Sequence, residues 1–131
     1  MNILEYEMIE LLKVLKEKYG VFEIKAEYEN EGSRQTELMR LKDVAEKLDL
    51  PIILKIGGVE AVTDIYNALS LGVKGIIAPM AETGFAASKF LNAIDTFVPE
   101  DNQKDIEFAI NIETITAYKN LDEILSLKKL N

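Results

Sequence analysis

A few polar side chains fall where buried strands should be apolar. Lys25 and Glu27 sit in VFEIKAEYE (21–29), Lys55 in IILKIGG (52–58), and Asn111 and Glu113 in IEFAINIET (106–114). Glu82 lies just past VKGIIAPM (73–80), after Ala81. The chain has no histidine and no cysteine. The commonest general base, the commonest metal ligand and all thiol chemistry are therefore absent. What remains is carboxylate, lysine, tyrosine and metal chemistry. Glu113, with Glu82, offers oxygen ligands of the kind Mg²⁺ or Mn²⁺ prefers. Lys55 offers a cation for a substrate carboxylate or a developing oxyanion. A lysine on a strand can instead form an imine, but a neighbouring glutamate favours its charged form and opposes that role.

Each residue also has a purely structural reading. Lys25 and Glu27 suit the wet face of an edge strand. Glu82 suits a helix N-terminus, where the macrodipole favours an acid. Lys55 suits a strand end from which its ammonium snorkels to water. For Glu113 the apolar flanks on both sides favour a site. Side-chain alternation places 25 with 27, and 111 with 113, on common faces.

The elements that must position these groups follow from periodicity. Leu4, Met8, Leu11, Leu12 and Leu15 recur at helical spacing across 3–19, and Gly20 stops that helix. Residues 21–29 alternate as a strand. The loop 30–33 supplies Ser33 as an N-cap for a helix reaching about Leu48. Pro51 opens a continuous apolar strand, the mark of a parallel sheet buried on both faces. Gly57-Gly58 turns into a helix over 59–71, closed by Gly72. Strand 73–80 leads to a helix over 85–97, broken by Val98-Pro99, and an acidic loop follows. Strand 106–114 is buried and ends in a carboxylate, with a last short helix near 121–127 and a tail of Lys128, Lys129, Leu130 and Asn131.

Repeated strand–helix units with buried strands predict an α/β fold: a parallel sheet of four βα units after an N-terminal helix, with the helices outside. A small open doubly wound sheet and half of a (β/α)8 TIM barrel both fit. A complete barrel takes about 250 residues, and this chain of 131 residues reads as one partial TIM-barrel-like domain over 1–131. Such sheets place their ligands at the C-terminal ends of the strands, where most of the polar residues gather. Gly57-Gly58 could also present backbone N–H groups to an anion. The chain has no GxGxxG, GxxxxGK[ST] or GxSxG.

Composition narrows the partners. The net charge of −8 argues against a phosphate backbone, so no nucleic acid is expected. No basic amphipathic segment and no run of about 18 apolar residues points to a membrane. The N-terminal MNILEYEMIELL is acidic, unlike a signal peptide, and a cytoplasmic location is the expectation.

IKAEYENEG, LKIGGVEA, GVKGIIAPMAET and INIETITAYKNLDEIL, in this order and spacing, resemble the HpcH/HpaI aldolase/citrate lyase family of phosphoenolpyruvate/pyruvate-type TIM barrels. The resemblance runs from about residue 20 to 127 and covers the N-terminal half of such a barrel. It implies a lyase: a divalent-metal-dependent carbon–carbon lyase for a pyruvate-like 2-oxo acid or an acyl-CoA-type substrate, with Mg²⁺ or Mn²⁺ as cofactor. Glu113 matches the family's metal-binding glutamate. Lys55 falls at the strand arginine that meets the substrate oxyanion, keeping its charge but not its bidentate fork. Lys25, Glu27, Glu82 and Asn111 would line the substrate cavity. Glu27 or Glu29 sits near the position of a histidine base.

The family's second metal ligand is an aspartate on the strand after the I-E-T strand, which the sequence does not reach. The expectation is therefore one of three. The chain is a truncated product or fragment; it is a half barrel completed as a homo-oligomer or with a partner; or it is a non-catalytic open sheet that binds a small acid.

Overall fold

A computed structural model describes residues 1–28 and 32–127. The chain order is α1 (Ile3–Tyr19), β1 (Ile24–Glu27), α2 (Gln35–Glu46), β2 (Ile52–Lys55), α3 (Val62–Leu71), β3 (Gly75–Ala78), α4 (Gly84–Phe97), α5 (Glu100–Asp105), β4 (Glu107–Ile110), α6 (Ile115–Lys119) and α7 (Leu121–Leu125). The four strands form one sheet in the order β1-β2-β3-β4, and every pairing is parallel. This is an α/β architecture with an N-terminal helix and helices interleaved between strands, resembling half of a (β/α)8 barrel.

Local chemistry sets the boundaries. Asn2 caps α1 by accepting the Glu5 N–H, while the Glu5 carboxylate accepts the Asn2 N–H, a reciprocal box that occupies two otherwise orphaned donors. Gly20 ends the helix in the left-handed region at φ 73°. Arg34, not Ser33, precedes α2; Glu37 reaches back to accept the Arg34 N–H, so the capping acid, not a hydroxyl, fixes this start. The stretch after Pro99 is a short helix, α5, rather than a loop; Glu100 and Asp101 in its first turn suit the helix dipole.

The sheet has two unlike faces. Ile24, Ala26, Ile52, Leu54, Ile76, Ala78, Phe108 and Ile110 lie on one face, in a single core with Leu38, Ala45, Ile65, Ala68, Phe90 and Ile94 of the helices. Lys25, Glu27, Ile53, Lys55, Ile77 and Ala109 lie on the other, since parallel register and strand alternation carry them there together. None of these joins the core. Ile53 and Ile77 are half-buried and Ala109 is exposed.

Burial on both faces is thus incomplete, and most so at β4. That strand alternates exposed with half-buried residues because it is an edge, with β3 its only strand neighbour among the described residues. It also ends at Ile110, so Asn111 and Glu113 belong to the loop beyond the strand. Among the described residues, no helix is long and apolar enough to cross a membrane.

Candidate functional site

Glu27 and Lys55 are register partners on adjacent strands, which puts their side chains next to each other on one face. Lys55 Nζ lies 3.0 Å from the Glu27 carboxylate, and Lys25 Nζ lies 3.6 Å from the same oxygen. Lys25 reaches it because residues two apart share a face. Both members of the central pair are buried, Glu27 at 6% exposure and Lys55 at 5%. The hydrogen bond from Lys55 holds the Glu27 carboxyl below its ordinary value of 4.5; burial opposes this, and the charges of Lys55 and Lys25 add to it. Glu27 is therefore an anion at neutral pH. Lys55 is thus half of a buried ion pair, a setting that favours the charged form of an amine and opposes imine formation.

Lys55 opens onto a cavity of about 440 Å³ at the C-terminal ends of the strands, lined also by Gly57, Gly58, Val59, Pro79, Met80 and Glu113. Glu113 is exposed. One of its oxygens accepts the Met80 backbone N–H at 2.9 Å; the other accepts Asn111 Nδ2 at 3.3 Å. Met80 sits in the left-handed region at φ 53°, a conformation that costs a non-glycine residue roughly 1–2 kcal/mol. The Glu113 hydrogen bond helps hold that turn. Glu113 thus has a structural task, closing the loop after β3 against the loop after β4, while it also lines the cavity.

The other expected residues are placed unequally. Lys25 is mostly exposed and reaches the site through Glu27. Asn111 orients Glu113 and extends the ladder by donating its own N–H to the Ala78 carbonyl at 3.0 Å; it does not line the cavity. Glu82 does not line it either. Its carbonyl accepts Asn120 Nδ2 at 2.9 Å, and it precedes Thr83, the cap of α4. Glu29 lies outside the described residues, as do Asn30, Glu31 and the tail from Lys128 to Asn131. The Gly57 N–H is taken by Asp64 Oδ2 at 2.8 Å, so that amide of the glycine turn belongs to the start of α3.

Pro79, Met80 and Asp64 were not singled out from the sequence. Pro79 and Met80 follow a strand that ends at the site, which was a usable signal. Asp64 reads only as an ordinary first-turn acid. Tyr28 donates to Gln35, and its hydroxyl is pushed up to about 12 by burial and by the charge of Asp64. It therefore stays a neutral donor tying the end of β1 to α2.

Among the described residues, no three His, Cys, Asp or Glu side chains gather as a metal group. Glu113 is the carboxylate on the cavity wall, and Glu27 is committed to two lysines. Mg²⁺ is commonly held by one or two carboxylates together with substrate oxygens and water. Glu113 fits that minimal role, and a bound acid would have to supply part of the shell. A comparison with protein-family models finds no match to this chain, and a comparison with curated proteins finds none.

Proposed function

We propose that the cavity between Lys55 and Glu113 binds a small carboxylic acid, a pyruvate-like 2-oxo acid or the acyl end of an acyl-CoA. On this reading the chain serves a divalent-metal-dependent carbon–carbon lyase of the HpcH/HpaI aldolase/citrate lyase kind. One observation carries it: a buried lysine, braced by a buried glutamate, opens onto a cavity at the C-terminal ends of parallel strands, the place where such sheets put their chemistry. The chain's own contribution is positional and electrostatic. Glu27 fixes the Lys55 ammonium, which faces the acid and offsets the negative charge that an enolate oxygen acquires when the carbon–carbon bond electrons move onto the acid. Mg²⁺ or Mn²⁺ resting on Glu113 would supply Lewis-acid polarisation of the same acid.

Calorimetric titration with pyruvate, with and without Mg²⁺, tests this reading. Pyruvate binds the wild-type chain, and Lys55→Met weakens it about tenfold or more, as expected for a lost charge-assisted hydrogen bond. Lys55→Arg retains binding and controls for folding. Glu113→Gln removes the Mg²⁺-dependent gain and leaves the metal-free binding. Failure of pyruvate and of an acyl-CoA to bind the folded chain at millimolar concentration rejects the proposal.

A second reading is a non-catalytic half barrel that assembles with another copy. The edges favour it: among the described residues β1 pairs only with β2 and β4 only with β3, so each offers its other side to a further strand.

A further inference from the structure

The helical layer continues one place beyond the sheet it covers. Helix α2 connects β1 to β2, α3 connects β2 to β3, and α4 leads from β3 towards β4. All three pack on the core face of the sheet, in one cluster with the strands. Among the described residues no strand precedes α1, yet it packs on α2 as α2 packs on α3 and α3 on α4. It therefore continues the helical layer past β1, which among the described residues pairs with β2 alone.

Only one flank of α1 is used. Leu12 packs on the core, and Met8 and Leu15 are half-buried. Leu4 at 63% and Leu11 at 61% exposure, two turns apart, stand open with Val14. Phe22, just before β1, is exposed as well. The far end of the sheet mirrors this: Ile112, Ile115, Tyr118 and Leu125, beyond β4 and on α6 and α7, are all exposed. The two edges also carry opposite charge on the same face, Lys25 on β1 and Glu107 on β4, both exposed and at the same level of the ladder.

We infer that α1 and the free edge of β1 form a docking surface for the β4, α6 and α7 end of a second copy, so that two four-stranded sheets close as one eight-stranded parallel barrel. Eight strands is the number at which such a barrel closes with an interior filled by side chains. The connection order gives both edges the same strand direction, so β4 of one copy continues into β1 of the next as a parallel pair. Helices α1 to α4 from two copies then supply the eight outer helices, and α1 covers the seam between the copies. Each copy gives its β1 end to the other's β4 end, twice, which closes the ring under twofold symmetry. The inference rests on the assembly reading above and adds which surfaces meet and what α1 is for.

Light scattering after size exclusion tests both levels. The wild-type chain runs at twice its 14.7 kDa mass. Leu4→Glu with Leu11→Glu halves that mass, with helical circular dichroism retained because both side chains are exposed. Ile115→Glu with Tyr118→Glu at the other end does the same. Mixing the two double variants recovers part of the dimer, because one undamaged α1 end then meets one undamaged β4 end. A wild-type monomer overturns the assembly reading and this inference with it. A wild-type dimer untouched by the α1 changes, or one that resists the α6 changes, overturns the inference alone. Open chains larger than two copies overturn ring closure.

Discussion

Glu27 ties the candidate site to folding stability at the level of a single side chain. Its carboxyl titrates below the ordinary 4.5, first because of the Lys55 hydrogen bond. The unfolded chain therefore takes up this proton at a higher pH than the folded one does. Stability from this group is fully present above the unfolded value and is lost as pH falls through the folded one. Glu5, lowered chiefly by its hydrogen bond with the Asn2 backbone and then by Arg40, and Glu37, lowered by Arg34, work in the same direction. Urea midpoints should hold steady from pH 7 to about 5 and fall progressively below about 4.5. Glu27→Gln should flatten part of that fall. An unchanged acid limb in Glu27→Gln would show that Lys55 is held by other groups.

Elements position this site, and their strength can be measured away from it. Phe90 of α4 is fully buried in the core beneath the sheet, so Phe90→Ala should cost about 3–5 kcal/mol in urea unfolding. Asn2→Ala removes the cap of α1 and should cost about 1 kcal/mol. The α1 range and the closing roles of Gly20 and Gly72 were legible because period and stop signal agree there. The parallel βα order was legible because each strand is a short apolar run between helical periods. The loop residues were not. Glu113 reads as a strand end because Ile110 and Ile112 carry the apolar alternation up to it, but an edge strand needs apolar residues on one face alone, and β4 ends earlier. Glu82 reads as a helix N-terminal acid or as a rim ligand from its place after β3; in the fold its carbonyl accepts Asn120 Nδ2, a contact that the sequence does not announce. The Lys55–Glu27 pair depends on inter-strand register, which no single-strand pattern encodes. Both residues were still visible as polar interruptions.

At the scale of the whole molecule, the site and the open sheet are one problem. Lys55 and Glu27 lie on the face that also carries Ile53 and Ile77, half-buried outside the main core. Closing the ring would bury that face and draw the β1 and β4 edges out of water, lowering the dielectric around the Lys55–Glu27 pair and strengthening the electrostatics within it. Folding stability and assembly would then be coupled, because unfolding a copy also dissolves two seams. Anything that binds the folded form alone adds to apparent stability by mass action, and here that partner is the chain itself. Urea unfolding at two protein concentrations should reveal it. Each tenfold dilution should lower the apparent free energy by about 1.4 kcal/mol per mole of dimer, and Leu4→Glu with Leu11→Glu should abolish that dependence while leaving a cooperative transition. A wild-type midpoint that does not move on dilution above the dissociation range would mean that the four-stranded sheet is stable alone, with α1 covering no second copy.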